Sequence, residues 1–124
     1  MTLGAFSISL PVEDLAASAA FYAMLGFQPR GGDAAQGWLI LQNPDGHLIG
    51  LFKGMFDRPM LTFTPGWDQN AAELPSFTDV RDWHAHVTAH GATPTQVALD
   101  APQGPGSFVL TDPDGNPVLI DQFR

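Results

Sequence analysis

The sequence "GSFVLTDPDGNPVLIDQF" at residues 106–123 repeats the pattern of an earlier stretch of the chain, "GWLILQNPDGHLIGLF" at residues 37–52. The two stretches align at an offset of 106 − 37 = 69 residues, and both carry Pro-Asp-Gly in the middle. An apolar run, a Pro-Asp-Gly turn and a second apolar run are typical of a β-hairpin, since proline presets the turn and glycine accepts positive φ. The sequence therefore predicts two related hairpins.

A helix is predicted before each hairpin. "VEDLAASAAFYAMLGFQP" (12–29) and "FTDVRDWHAHVTAHGATP" (77–94) align at an offset of 79 − 14 = 65. In each, an aspartate precedes apolar residues at helical spacing, and a glycine followed by a proline marks the end. The change of offset from 65 to 69 predicts about four extra residues between helix and hairpin in the second copy, in "ALDAPQGPGS" (98–107).

A strand is predicted before each helix. "AFSISLPV" (5–12) alternates, with Phe6, Ile8 and Leu10 on one face and Ser7 and Ser9 on the other. In the second copy "MLTFTPGW" (60–67) alternates in the same way, whereas the strict offset points to "NAAELPSF" (70–77), which is a poor strand. We prefer the earlier stretch and interpret residues 65–76 as an inserted connection.

The predicted fold is therefore α+β, with two β-α-β-β-β modules that pair to complete one sheet. The modules span residues 1–55 and 56–124 of a single 124-residue domain. Two copies of such a unit cannot stack into a solenoid, but they can complete one sheet.

The composition limits the classes of partner. The net charge of −8, from 13 acidic and 5 basic residues, repels phosphate backbones, so nucleic acid is not an expected partner. No apolar run reaches the length of a membrane span, and the first residues do not resemble a signal peptide. With no cysteine there is no disulfide, thiolate site or cysteine nucleophile, and we expect a cytoplasmic location.

Five titratable side chains are candidate functional groups: His47, His84, His86, His90 and Asp121. His86 and His90, one helical turn apart, are interpreted as a solvated helix edge, since a metal needs at least a third ligand. His84 is expected to pack against the core and His47 to cap a turn. Asp121 differs, because it interrupts an apolar strand; it is either poised for function or paired with the nearby C-terminal arginine.

The repeated modules resemble the vicinal oxygen chelate superfamily, which includes glyoxalase I, bleomycin-resistance proteins, fosfomycin-resistance proteins and extradiol dioxygenases. "SLPVEDLAASAAFYAMLGF" (9–27) resembles its first strand and helix, and "DPDGNPVLIDQ" (112–122) its terminal hairpin. The resemblance covers essentially the whole chain. It implies that the two β-α-β-β-β modules form a curved mixed sheet around a cavity. It also implies a small organic ligand bound in that cavity and association of two chains into a homodimer.

The resemblance also implies where a metal would be bound, on inward-facing strand positions that hold His, Gln or Glu in metal-dependent members. Here these positions fall on Ser7, Gly50, Leu119 and Thr62, or on Ala72 under the strict offset. None is a conventional ligand of a divalent metal. No metal and no cofactor are therefore predicted.

The predicted lining is apolar with a few hydroxyls and one acid, which suits an organic ligand. It comprises Ser7, Ser9, Trp38, Leu48, Gly50, Phe52, Thr62, Thr64, Trp67, Leu119 and Asp121, with Phe56 at its edge. The leading hypothesis is a metal-free small-molecule-binding protein. The alternative is a lyase or isomerase with Asp121 as catalytic acid/base and Ser7 or Thr62 as hydrogen-bond partner, with or without a metal. A structural or regulatory partner module is the third possibility.

Overall fold

The computed structural model describes all 124 residues of the chain. Its elements, in chain order, are β1 (Ala5–Val12), α1 (Leu15–Ala23), β2 (Gln28–Asp33), a 3-10 turn (Ala34–Gln36), β3 (Trp38–Gln42), β4 (Leu48–Lys53), β5 (Met60–Thr64), α2 (Val80–Ala89), β6 (Thr95–Ala98), β7 (Gly106–Thr111) and β8 (Pro117–Gln122). Neither helix is long and apolar enough to cross a membrane.

The element order is β-α-β-β-β twice, which confirms the predicted α+β class and the repeat. In the first module the strands lie in the order β2-β3-β4-β1, and in the second in the equivalent order β5-β8-β7-β6. The pairs β1–β4 and β5–β8 are parallel and the hairpin pairs are antiparallel, so each half is mixed. The fifth strand begins at Met60, as the preferred alignment predicted.

The chain comprises two compact units, one of residues 7–60 and the other of residues 1–6 together with 61–124. The first residues join the second unit through hydrogen bonds. The amide of Ala5 donates to the carbonyl of Trp67 at 2.8 Å, and the indole N–H of Trp83 donates to the carbonyl of Thr2 at 2.8 Å.

Each unit has a core between its helix and one face of its strands. In the first, Phe27, Leu41 and Leu51 are buried, and Leu15, Ala19 and Tyr22 of α1 pack against them. In the second, the buried residues are Val80, Phe108 and Ile120, with Trp83 and Val87 of α2 packed around them. Asp14 and Asp79 cap the two helices, accepting hydrogen bonds from the amides of residues 17 and 81. The inward faces of both helices therefore consist of apolar residues at helical spacing, whereas Phe21 and Leu25, which the same spacing sets beside the first of these faces, are exposed.

The two Pro-Asp-Gly turns share one hydrogen-bond pattern, and the residue that organises each turn precedes the proline. Asn43 Oδ1 accepts from the amide of His47 at 2.8 Å. Asp112 Oδ1 accepts from the equivalent amide of Asn116 at 2.8 Å, and the hydrogen bonds from Asn116 lower the pKa of Asp112. Gly46 and its counterpart at position 115 have φ of +84° and +90°, which explains the glycine in both copies.

Residues 65–79 connect β5 to α2 and include the predicted insertion. Arg124 holds this connection, since its Nη1 donates to the carbonyls of Gly66 and Leu74 at 3.0 and 2.9 Å. Its guanidinium also lies 4.8 Å from the ring centre of Phe77. The C-terminal arginine is therefore engaged by the connection and not by Asp121, so the predicted local ion pair between them is wrong.

Candidate functional site

The face of the first unit that points away from α1 carries six of the predicted lining residues. Leu10, Leu39 and Leu51 pack towards the helix, and strand alternation turns their neighbours the other way. Paired residues in adjacent strands lie on the same face of the sheet. The pairs on this face are Ser9 with Gly50, Trp38 with Phe52 and Gln42 with Leu48. Ser7 lies on the same face as Ser9, because the two are two positions apart in β1. We call this set, Ser7, Ser9, Trp38, Leu48, Gly50 and Phe52, the α1-distal face.

An aromatic cluster dominates the α1-distal face. The rings of Trp38 and Phe52 are parallel to within 5°, with centroids 6.2 Å apart. Phe56 follows β4 and places its ring 5.4 Å from that of Phe52. Phe52 also covers Gly50, because a Cβ added to that glycine would lie 2.6 Å from Phe52 Cε2. The three rings therefore form a partly exposed apolar platform over a position that has no side chain.

Replacing Gly50 by alanine is expected to displace the Phe52 ring and to lower the free energy of unfolding by about 1–2 kcal/mol, as overpacking does. Urea unfolding and near-ultraviolet circular dichroism measure the two effects. The control is Gly31→Ala, since an added Cβ there meets only Ile40 Cβ at 4.0 Å. Equal stability and equal aromatic spectra of the two variants would show that Phe52 does not occupy this space.

The face of the second unit that points away from α2 carries the remaining strand residues of the prediction. Phe108 and Ile120 pack towards α2, so their neighbours on β7 and β8 point the other way. On that side Thr62 pairs with Leu119, and Ser107 pairs with Asp121. We call the set of Thr62, Thr64, Ser107, Leu119 and Asp121 the α2-distal face.

Asp121 is the only carboxylate on the α2-distal face, and it is partly buried. Its side chain makes no hydrogen bond and no ion pair. Burial raises the pKa of Asp121 to about 6, since nothing stabilises the charged form. The group is therefore mostly ionised at neutral pH and accepts a proton readily, as a general base must. In its ionised form it also carries the charge that an anchor for a cation needs.

The remaining candidate residues lie on neither the α1-distal face nor the α2-distal face. Trp67 is beyond the end of β5, and its indole N–H is buried without a partner. Ala72, the alternative fourth position, is exposed in the connection. Two of the histidines keep the structural roles expected of them: His84 packs edge-on against Phe108 at 5.3 Å, and His47 Nδ1 lies 3.1 Å from Asn43 Nδ2 in the first turn.

His86 and His90 are exposed on α2, as predicted, with ring centroids 4.4 Å apart. His90 Nδ1 lies 2.8 Å from the carbonyl of His86, so local contacts occupy one of its two ring nitrogens. No group of three His, Asp or Glu side chains comes together in the chain.

The donor set at the positions implied for a metal does not fit a divalent ion. The side chains at these positions are the hydroxyls of Ser7 and Thr62, the hydrogen of Gly50 and the alkyl chain of Leu119. None of them is an imidazole or a carboxylate, which a divalent metal site needs. At Gly50 the Phe52 ring fills the space that a ligating side chain would need. No chemical step is therefore derived through a metal.

Ser107 was not predicted, although the repeat contains the signal for it. The offset of 69 aligns Ser107 with Trp38, so the residue equivalent to a predicted lining residue faces Asp121 across β7 and β8. A hydroxyl stands in the second copy where the first has an indole. The two faces thus differ in chemistry, one aromatic and the other polar.

Comparisons with known proteins agree with the fold. The structure of an NAD-dependent benzaldehyde dehydrogenase from Legionella pneumophila has a TM-score of 0.70 at 18% identity, covering 96% of this chain and 99% of that chain. A superfamily member from Vibrio splendidus 12B01 has a TM-score of 0.62 at 15% identity, covering 94% and 97%. The Mn(II)-bound glyoxalase from Novosphingobium aromaticivorans has a TM-score of 0.57 at 23% identity, and the match covers 94% of this chain and 37% of that chain. At these identities the likeness concerns the fold alone.

The sequence itself carries a family signature over nearly its whole length. No curated protein matches the chain. The family model for the Glyoxalase/Bleomycin resistance protein/Dioxygenase superfamily, in contrast, matches residues 4–120. The resemblance inferred from the two hairpins and the helices is thereby confirmed, and the chain belongs to the Glyoxalase/Bleomycin resistance protein/Dioxygenase superfamily.

Proposed function

We propose that the chain is a metal-free binding protein for a small organic molecule, and that it acts as a homodimer. The observation that carries the proposal is the Phe52 ring lying over Gly50 beside Trp38. An apolar aromatic surface stands where the resemblance places a metal ligand, and such a surface favours an organic ligand. The cytoplasmic location stays a prediction from the sequence.

The chemistry of the α1-distal face favours ligands with a flat apolar part. Aromatic rings gain about 0.5–1.5 kcal/mol beyond area burial when they meet another ring in an offset or edge-on arrangement. Phe52 and Trp38 offer two parallel rings for such contacts, and the hydroxyl of Ser7 lies on the same face of the strands, further along β1. We therefore expect aromatic compounds to bind better than aliphatic compounds of the same size.

A thermal-shift screen of glycopeptides and aromatic antibiotics, run with a chelator present, tests the proposal. A ligand at 100 times its Kd stabilises the folded state by about 2.7 kcal/mol, which is readily measured. We expect Phe52→Ala to lose most of the ligand-induced shift, while Phe123→Ala, which truncates an exposed ring, keeps it. No shift across the panel, or a shift that requires added metal, contradicts the proposal.

A second candidate function is supported by Asp121. A partly buried carboxylate without a partner, whose pKa is about 6, suits a general base that takes a proton from a substrate carbon, as in a lyase or isomerase. At pH 7 about nine in ten such groups are ionised. Thr62 and Ser107 are hydroxyls on the same face that can orient a substrate.

The Asp121→Asn variant separates the two functions. If the chain is an enzyme, this variant keeps the ligand-induced thermal shift and loses turnover of the same compound. Metal analysis of the protein as purified is the companion measurement, because stoichiometric manganese, zinc, nickel or iron would contradict the metal-free proposal. Asp121 and His47 would then be the first side chains to test as ligands.

A further inference from the structure

The outward side of α2 carries two histidines one helical turn apart, and neither belongs to the core or to the α2-distal face. His86 and His90 are both exposed, and the inward side of the helix supplies the core of the unit. The equivalent positions of α1, at the offset of 65, are Phe21 and Leu25, so the fold does not require histidine at either. The pair is a feature of the second module alone, and its two imidazoles are close enough to share a ligand.

The ring of His90 makes a hydrogen bond that leaves its other nitrogen available to a metal. Its Nδ1 lies 2.8 Å from the backbone carbonyl of His86. A carbonyl oxygen only accepts, so Nδ1 carries the proton and the lone pair of the neutral ring is on Nε2. Histidines that bind metals commonly donate their second ring N–H to a carbonyl or a carboxylate, which fixes the tautomer and the orientation of the ring. His90 is therefore arranged as an Nε2 ligand.

The ring of His86 is positioned by Trp83. The two rings meet edge to face, with centroids 5.7 Å apart and planes at 90°. Trp83 is itself held in place, because its indole N–H donates to the carbonyl of Thr2 at 2.8 Å. Both imidazoles thus have a contact that restricts their rotamers before an ion binds. Less side-chain entropy is lost on binding than for two unrestrained side chains.

The separation of the two rings indicates the coordination geometry that the pair can provide. With metal–nitrogen bonds of about 2.0–2.1 Å, the centroid of a bound imidazole lies about 3.2 Å from the ion. Two such centroids are about 4.5 Å apart when the bonds meet at a right angle and about 5.2 Å apart at the tetrahedral angle. The centroids of His86 and His90 are 4.4 Å apart. The pair therefore matches two adjacent corners of a square-planar or tetragonal site better than two corners of a tetrahedral one.

This geometry favours copper among the divalent ions that bind imidazole. Tetragonal sites with nitrogen and oxygen ligands are typical of Cu²⁺ and Ni²⁺, and Cu²⁺ binds most tightly of the first-row series. Zinc sites are tetrahedral and need at least three protein ligands, and no third His, Asp or Glu side chain joins this pair. Water completes the coordination of Cu²⁺ readily. The net charge of −8 raises the concentration of any cation near the surface.

We propose that His86 and His90 form a surface chelate for Cu²⁺ on the outward side of α2, with Nε2 of His90 and one ring nitrogen of His86 as the two protein ligands. The site is separate from the α2-distal face, since α2 packs on the opposite side of β7 and β8. It uses none of the strand positions that the resemblance assigns to a metal. It also does not rest on the proposed function, so the organic-ligand site keeps its metal-free chemistry whether or not copper is bound to α2.

Isothermal titration calorimetry of the whole chain with Cu²⁺ tests the inference. Wild type is expected to bind one Cu²⁺ per chain and to bind Zn²⁺ at least tenfold more weakly. His86→Ala and His90→Ala are each expected to weaken Cu²⁺ binding at least tenfold, because the second imidazole meets the ion at a high effective concentration only while both are present. His47→Ala, which removes an exposed histidine from the first turn, is the matched control and is expected to bind like wild type. Circular dichroism confirms that each variant is folded.

Trp83 and the copper ion itself supply two further measurements. Bound Cu²⁺ is expected to quench the fluorescence of the indole beside His86, and Trp83→Phe is expected to keep the calorimetric affinity while losing most of the quenching. Electron paramagnetic resonance is expected to show a tetragonal Cu²⁺ ion with two imidazole nitrogens in wild type and one in His90→Ala. Unchanged Cu²⁺ affinity in His86→Ala and His90→Ala, or Zn²⁺ binding as tight as Cu²⁺ binding, overturns the inference. Neither result affects the thermal shift measured with a chelator present, which tests the binding function separately.

Discussion

Replacing Gln122 by leucine is expected to lower the free energy of unfolding by about 3–5 kcal/mol, because four groups depend on this one buried amide. Gln122 is 1% exposed. Its Oε1 accepts from the amide of Val80 at 2.8 Å, and its Nε2 lies within 3.1 Å of Asp79 Oδ2 and of the carbonyls of Gly104 and Arg124. Leucine has a similar volume but leaves the buried amide of Val80 without its acceptor and removes one partly buried hydrogen bond from each of the other three groups.

The Gln122 amide also affects the start of α2 through Asp79. Burial raises the pKa of Asp79, but hydrogen bonds from Gln122 and Arg81 outweigh it, so its pKa lies below the ordinary value of 3.8. A lowered folded-state pKa contributes stability that is present above the unfolded pKa and is lost as pH falls through the folded pKa. Without the hydrogen bond from Gln122, the pKa of Asp79 is lowered less. We therefore expect the variant to lose part of the stability that Asp79 contributes at neutral pH.

Urea unfolding at neutral pH measures the main effect, and Gln28→Leu is the matched control. Gln28 is an exposed strand residue for which the same change is expected to fall within about 0.5 kcal/mol of wild type. If Gln122→Leu is no less stable than the control, the four partners are satisfied in some other way and Gln122 does not organise the start of α2.

Periodicity made much of this fold predictable from the sequence. Alternation in β1 placed Ser7 and Ser9 opposite Leu10, and the structure keeps them so because successive strand residues point to opposite faces. The repeated Pro-Asp-Gly located both hairpins. Asp121 was visible as a charge within an apolar strand, and it does lie on the face away from α2.

Contacts between residues distant in sequence were not predictable in this way. The ring of Phe52 over Gly50 depends on a rotamer and not on spacing. Arg124 was expected near Asp121 because the two are close in sequence, but the carbonyls of Gly66 and Leu74 bind its guanidinium. A hydrogen-bonding side chain at a chain end can be satisfied by any segment that folds next to it, which local sequence does not reveal.

Asp121→Asn is expected to stabilise the protein by about 2–3 kcal/mol at pH 8. Burial raises the pKa of Asp121 to about 6, above the ordinary 3.8, so the folded state binds the proton more tightly than the unfolded state. The stability associated with this group is fully present below pH 4 and is lost as pH rises towards 6. Each pKa unit corresponds to about 1.36 kcal/mol. Asparagine has nearly the same shape and no charge to desolvate, so it avoids this loss.

Chemical unfolding of wild type and variant between pH 3 and 8 measures the effect. The difference in unfolding free energy is expected to be small in acid, to grow between pH 4 and 6 and to stay constant above. Other groups, including Asp79, titrate alike in both proteins and cancel in this difference. Asp100→Asn is the control, because it makes the same substitution at an exposed aspartate in the same unit. A flat difference for Asp121→Asn would show that its carboxyl is well solvated.

The expected gain in stability of the Asp121→Asn variant bears on function. A residue that lowers the stability of its own protein at neutral pH has no structural reason to be there, since asparagine or serine would fit the same strand position. Strained or desolvated groups of this kind cluster at sites where they meet a ligand. If the variant gains stability and also loses either turnover or affinity for a cationic ligand, the two effects together assign Asp121 to the site. If it gains stability and every activity is retained, the carboxyl is a tolerated defect and the binding proposal rests on Phe52 and Trp38 alone.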